Sequence, residues 1–357
     1  MLLIALLSVL FTNFAQASAN DVDLLIENNP RIMKDFEYVS RLDIKRQVKI
    51  AVIGDYVHPE EFESIATNAK EVEGNGIDDD GNGYVDDFFG FDSDGGNGRL
   101  LTPVMTGHEN GIVSIMDAII SNYNLSRFVS IIPINIYSSD GRFDELRLKK
   151  LADSIDYAVA RGAKIISISQ GVSKFNRFSF RFIDGDNNKS LAYIQSAIDR
   201  AKRSGVVVVG SISNESGRDH VKDPSIPGNL KNVISVANVN FNGIIESGYG
   251  NNVDLAYYGT DVFVWEGRCE DYKYQSPWTC DRDGNNSGFK SVTGSSLSTP
   301  IVALSLGILS ASGVDLEMNS RLREDIRKSC SVSITGKRNT ISRCIYSPSK
   351  FSTKYKK

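Results

Sequence analysis

A three-layer α/β domain, with a mostly parallel central sheet flanked by helices, is the fold predicted by this sequence of 357 residues. Short, continuously apolar runs rich in β-branched residues recur along the chain, as strands covered on both faces require. Segments of helical periodicity separate them, the spacing of crossover connections. Hydrophobic residues are 41% of the chain and charged residues 24%, which suits a buried core and excludes disorder as the dominant state.

Met1 to Ala17 (MLLIALLSVLFTNFAQA) is an apolar stretch ending in Ala15-Gln16-Ala17, the pattern of a secretory signal peptide. No Lys or Arg precedes it, so a buried N-terminal helix is the alternative reading. No later segment offers the ~18 consecutive apolar residues of a membrane span. The mature chain is therefore expected to be secreted or periplasmic and free of a span, with residues 18–47 as a short N-terminal segment.

Val48–Gly54, Val129–Asn135, Ile165–Ser169, Val206–Gly210 and Val233–Ala237 are the strand candidates. Between them, Asp144–Arg161 carries a stripe of Leu146, Leu148, Leu151, Ile155, Ala158 and Val159 at helical spacing. Ser190–Ser204 is a second helix and stops at Gly205. No linker breaks the region, so residues 48–313 read as one domain and 314–357 as an appended helix and tail.

Cys269, Cys280, Cys330 and Cys344 allow three disulfide connectivities. Two local bridges are favoured, and without a CxxC or a neighbouring His a zinc site has no support. The net charge of −4 makes no case for nucleic acid. A monomer is expected.

Function in such sheets gathers at the carboxyl ends of the strands. That places attention on Asp55, on Ser169-Gln170-Gly171 and on Ser211–Asn214. Of the three histidines, His108 precedes an apolar helical run (Ile112, Ile115, Met116, Ile119). His58 and His220 read as loop and solvated residues. Ser296 opens another apolar helix, where the helix dipole favours a nucleophile and its oxyanion.

Val48–Asp55, Thr106–Ile112 and Gly294–Pro300 resemble the aspartate, histidine and serine motifs of the subtilisin-like serine proteases, in that chain order. Asn214 and the block Pro227-Gly228-Asn229 through Ala237 add to the likeness. The resemblance implies a three-layer subtilisin-like fold and a secreted endopeptidase acting on proteins or peptides. It implies Ser296 as nucleophile, His108 as general base and acid, Asp55 orienting His108, and Asn214 with the Ser296 N–H as oxyanion donors. Ser169, Gln170 and Gly171 become one wall of the substrate cleft, and Ser211, Ile212 and Ser213 the other. A catalytically weak or inactive binding module is the alternative, suggested by Glu109-Asn110 and Ser298-Thr299, which depart from the family's motifs. Glu109 is expected to favour protonated His108. Only about 35 residues separate Ala17 from Val52, fewer than the family's usual prodomain.

Asp78-Asp79-Asp80-Gly81-Asn82-Gly83-Tyr84-Val85-Asp86-Asp87 places oxygen donors at alternate positions around a Gly, a partial calcium-binding loop. Asp78, Asp80, Asn82, Tyr84 and Asp86 are the expected ligands of a structural Ca2+. Asp87 stands in for the acidic twelfth residue, which here is Phe89.

Overall fold

Strands buried on both faces need helices above and below, and the computed structural model has that arrangement. It describes residues 19–100, 107–138, 147–173, 187–215, 219–248, 250, 252–267, 287–330 and 345–355. The central sheet contains β1 (Val48–Gly54), β2 (Phe91–Asp92), β3 (Val129–Asn135), β4 (Ala163–Ile168), β6 (Val207–Ser211), β8 (Val233–Val239) and β9 (Leu255–Tyr258). Their order is β2-β3-β1-β4-β6-β8-β9, and every pairing is parallel. Two short strands, β5 (Val172–Ser173) and β7 (Ser225–Ile226), pair antiparallel outside it.

Strand β1 shows how one sequence serves two layers, because successive side chains point to opposite faces. Ile50 and Val52 join the core under helices α3 (His108–Asn122) and α6 (Ser295–Ala311). Ala51 and Ile53 join the opposite core under α4 (Arg147–Ala160) and α5 (Asn187–Arg203). Because the sheet grows outward from β1 in both directions, the crevice at its carboxyl end, between β3 and β4, is the natural ligand site.

The first of these cores also draws on both ends of the chain. Helices α1 (Ala19–Asn28) and α2 (Pro30–Asp35) and the turn Glu37–Arg41 bury Leu25, Ile32, Phe36 and Val39 in it. The Asn29 side chain extends the edge of the hairpin β10 (Val262–Trp265) and β11 (Phe289–Val292). It donates to the Phe263 carbonyl at 2.7 Å and accepts from its N–H at 3.1 Å. Beyond α7 (Ser320–Lys328), Ile345 bridges Ala256 of β9, and helix α8 (Pro348–Thr353) buries Phe351.

All five predicted strands lie in the central sheet, β1 and β3 with the predicted ends. The short edge strands β2 and β9 were not predicted. The expected signal peptide, Cys269, Cys280 and Cys344 lie outside the described residues. No helix among the described residues is long and apolar enough to cross a membrane.

Candidate active site

The serine half of the site is built by the start of α6, a 17-residue helix buried along its whole length. Ser296 is its second residue, 8% exposed, where helix N–H groups have no partner within the helix. Pro300 sits one turn on and has no N–H, so the Ser296 carbonyl cannot make the usual helical bond. The Ser169 hydroxyl donates to that carbonyl at 2.8 Å and thereby ties the end of β4 to the nucleophile's backbone. Ser298 and Thr299, fully buried, satisfy their hydroxyls on the Tyr257 and Ser295 carbonyls at 2.9 and 2.8 Å.

Asn214 is oriented by its oxygen. Its Oδ1 accepts from the Ser295 N–H at 2.8 Å and lies 2.9 Å from the Ser295 hydroxyl oxygen, which leaves Nδ2 as the outward donor. A Cβ on Gly294 would lie 2.9 Å from Asn214 Nδ2 and 3.0 Å from Ser296 Oγ. Both polar atoms therefore border one small volume that only glycine leaves open. A carbonyl there meets a nucleophile, a side-chain donor and the positive end of a helix.

The histidine half is charged. His108 begins α3 after Gly107, whose φ of 76° is left-handed. Its ring is 29% exposed, and Nδ1 lies 3.0 Å from Oε2 of the fully buried Glu109. The other carboxylate oxygen of Glu109 accepts from Gln170 Nε2 at 2.9 Å. The Tyr137 hydroxyl donates to the Gln170 amide oxygen, which fixes the direction of that amide. Burial works against a charged His108, but the Glu109 charge and hydrogen bond outweigh it, helped by Glu266 and Asp55, and raise its pKa to about 9. Burial likewise opposes ionised Glu109, yet the His108 charge and bond, the Gln170 amide and the Asp55 backbone N–H hold it below the usual carboxylate range.

The Glu109 carboxylate thus lies against His108 Nδ1, and Gln170 Nε2 is 3.2 Å from the same atom. Asp55 follows the last residue of β1, is nearly buried, and accepts the Tyr56 N–H at 2.8 Å. The side of the backbone facing the imidazole pair belongs to Gly54, where a Cβ would come within 1.8 Å of Glu109 Oε1. Gln170, expected in the wall of the cleft, turns its side chain onto this pair.

Across the site, the Ile212 carbonyl accepts from the Ser295 hydroxyl at 2.5 Å and the Ser213 carbonyl from the Gly248 N–H at 2.9 Å. Ser211 and Ile212 are buried, and Gly171 is exposed at the entrance to the β5–β7 pair. His58 is half-buried with its ring edge toward Trp265. His220 corrects the solvated reading: it is fully buried, with Nδ1 3.1 Å from the Asp223 carbonyl.

In the acidic loop, Asp80 and Asp87 converge with Glu71, their oxygens within 4.8 Å of one another. Glu71 was missed because no spacing rule links it to the loop. It is 5% exposed, and its Oε2 is buried without a hydrogen-bond partner. Arg161 meets the Asp87 carboxylate at 2.7 Å, on the core side. Asp78 accepts the Asn82 and Gly83 N–H groups, Asp86 accepts that of Gly76, and Asn82 Nδ2 faces Asp87 at 3.3 Å. The Tyr84 ring packs against Phe91 and Tyr157.

Comparison with protein families matches residues 45–324 to the subtilase family of peptidases. Comparison with curated proteins finds no match. Among solved structures, a lanthipeptide protease is 17% identical with a TM-score of 0.61, covering 94% of this chain and 97% of its own. Fervidolysin from Fervidobacterium pennivorans, a keratinolytic enzyme related to subtilisin, is 13% identical with a TM-score of 0.59, covering 90% of this chain and 45% of its own. The prenylagaramide maturation protease PagA is 16% identical with a TM-score of 0.55, covering 89% and 96%.

Proposed function

Because the chain belongs to the subtilase family and is a serine endopeptidase, we propose that Ser296 is its nucleophile, His108 its general base and Asn214 its oxyanion donor. Ser296 Oγ attacks the scissile carbonyl while His108 Nε2 takes its proton. Asn214 Nδ2 and the Ser296 N–H donate to the resulting oxyanion, and His108 then passes the proton to the leaving amine. Water repeats the sequence in reverse to free the acyl group. Proteins or peptides are the substrates, bound extended along Ser169-Gln170-Gly171 on one side and Ser211-Ile212-Ser213 on the other. The observation that carries this reading is the shared volume between Ser296 Oγ and Asn214 Nδ2, kept open at Gly294.

Calcium is proposed as a structural ion. Glu71, Asp80 and Asp87 fit a hard cation, since three carboxylates converge and one buried oxygen has no other partner. Asp78, Asn82, Tyr84 and Asp86 shape the loop around them. Secretion or export to the periplasm is proposed from the N-terminal apolar stretch, and the disulfide-bonded state of Cys330 supports it.

Fluorophosphonate labelling read by intact mass and peptide mapping tests the reading. The expected result is one label on Ser296, none in Ser296→Ala, and a chain mass lacking residues 1–17. Folded protein that stays unlabelled, with calcium supplied, would falsify the nucleophile assignment.

A further inference from the structure

We propose that residues 19–47 stay attached in the active enzyme as a brace, and that Asn29 within them is a positioning residue for the hairpin beside the histidine helix. Where activity is concerned, this rests on Ser296 and His108 being the nucleophile and base. Strand β10 pairs with β11 along one edge, so its other edge presents backbone groups that need partners. Side chains supply them. Asn29, 4% exposed, takes both the N–H and the carbonyl of Phe263, as a neighbouring strand would. Its amide also donates to the Leu25 carbonyl at 2.9 Å, which fixes the direction of the side chain. Two residues along, the Ser114 hydroxyl oxygen accepts the Trp265 N–H at 3.0 Å.

The hairpin in turn packs on the turn of α3 that follows His108. Asn110, fully buried, donates to the Glu266 carbonyl at 3.3 Å and accepts the His58 N–H at 2.9 Å. A Cβ on Gly111 would lie 3.1 Å from Val264 Cγ2 and from Glu266 Cγ, so helix and strand meet with no room between them. A shift of β10 is therefore passed to the start of α3. The rest of the segment is fastened as an interior element is. The Tyr257 hydroxyl donates to Asp35 at 3.0 Å, that of Tyr123 to the Met33 carbonyl at 2.6 Å, and the Arg46 guanidinium to the Ser310 carbonyl at 2.8 Å. Ile32, Phe36 and Val39 are buried in the core shared with α3 and α6. These partners lie in or beside α3, α6 and β9, and none belongs to either wall of the cleft. Releasing the segment would uncover that core and orphan the Phe263 groups.

Three measurements on the full chain test the brace. Fluorophosphonate-labelled protein, read by intact mass, is expected to retain residues 19–47. Labelled protein that has lost them and reacts as fast overturns the proposal. A site for a sequence-specific protease, inserted after Asp43, lets the segment be cut in the purified protein. The fragment is expected to co-elute with the body in gel filtration, with no rise in labelling rate. Its release with a gain in rate would mark an inhibitor and overturn the brace. Asn29→Ala, checked for folding by circular dichroism, is expected to speed hydrogen exchange of the 262–266 peptide about tenfold to a hundredfold. It should also slow labelling of Ser296 about tenfold. Val39→Ala removes core contacts of the same segment but none of its bonds to β10. That variant is expected to lower Tm by about 5 °C and to leave both rates near wild type. Equal effects of the two variants on both rates overturn the positioning role. Asn29→Asp keeps the acceptor for the Phe263 N–H and reads the same way in smaller measure if Asn29→Ala does not fold. Wild-type protein that takes no label, but keeps slow exchange at 262–266 and a co-eluting fragment, defeats the function above and leaves the brace standing.

Discussion

The two halves of the candidate active site are wired in different ways. On the serine side every bond is neutral: the Asn214 amide on Ser295, the Ser169 hydroxyl on the Ser296 carbonyl, helix hydroxyls on nearby carbonyls. On the histidine side a buried carboxylate meets an imidazole, with charged Glu266 and Lys290 nearby. Neutral bonds each contribute about 1 kcal/mol and tolerate loss, whereas a buried charge deprived of its partner is costly. The serine half can therefore lose one of its bonds at modest cost, although they draw on the ends of β4 and β6 and on β9. The histidine half needs a seat drawn from α3 and the ends of β1 and β4, and that seat constrains substitution more tightly.

This contrast can be broken first at Asn214. Asn214→Ala is expected to lower kcat about 10²–10³-fold with little change in KM, as for one lost oxyanion donor. Steady-state kinetics on a peptide substrate checks it, and a loss confined to KM would remove Asn214 from the oxyanion site. The link between Ser169 and Pro300 gives a smaller, sharper test. Ser169→Ala leaves the Ser296 carbonyl unpaired and is expected to destabilise by about 1–3 kcal/mol. Pro300→Ala restores a helical N–H, so the same Ser169→Ala change should cost less in that background, as a double-mutant cycle by denaturant unfolding would measure. Equal costs in both backgrounds would show that Ser169 does not serve that carbonyl. The acidic loop lies in neither half, so its effect should fall on stability alone. Chelation is expected to lower Tm by about 5 °C, the scale of a ligand at a hundredfold excess over its Kd. Glu71→Gln should abolish that calcium response. A Tm indifferent to calcium in the wild type would remove the ion from the account.

What could be read in the sequence follows the same division. Val48–Gly54 and Val129–Asn135 announce themselves because a strand covered on both faces must be apolar throughout. Phe91–Asp92 and Leu255–Tyr258 do not, since two- and four-residue edge strands are recruited by neighbours rather than by their own pattern. His108, Asn214 and Ser296 stand in local motifs, and the structure brings Asn214 and Ser296 to one volume. Glu109 was visible only as a departure from a motif, and Gln170 only as a wall residue. Their use depends on which side of β1 faces the cleft, and a difference of one residue in an extended chain reverses that. Glu71 and buried His220 depend on tertiary placement, for which sequence spacing carries no signal.

The His108–Glu109 pair also bears on self-digestion. Its charged form stabilises the fold in full below the ordinary histidine pKa of about 6.5, and that contribution fades as pH rises through about 9. In the proposed mechanism the form of His108 that takes the Ser296 proton is the neutral one, which gains population over the same interval. At mildly acid pH the pair's contribution to stability is therefore complete while the chain is least aggressive toward copies of itself, and alkali exchanges one property for the other.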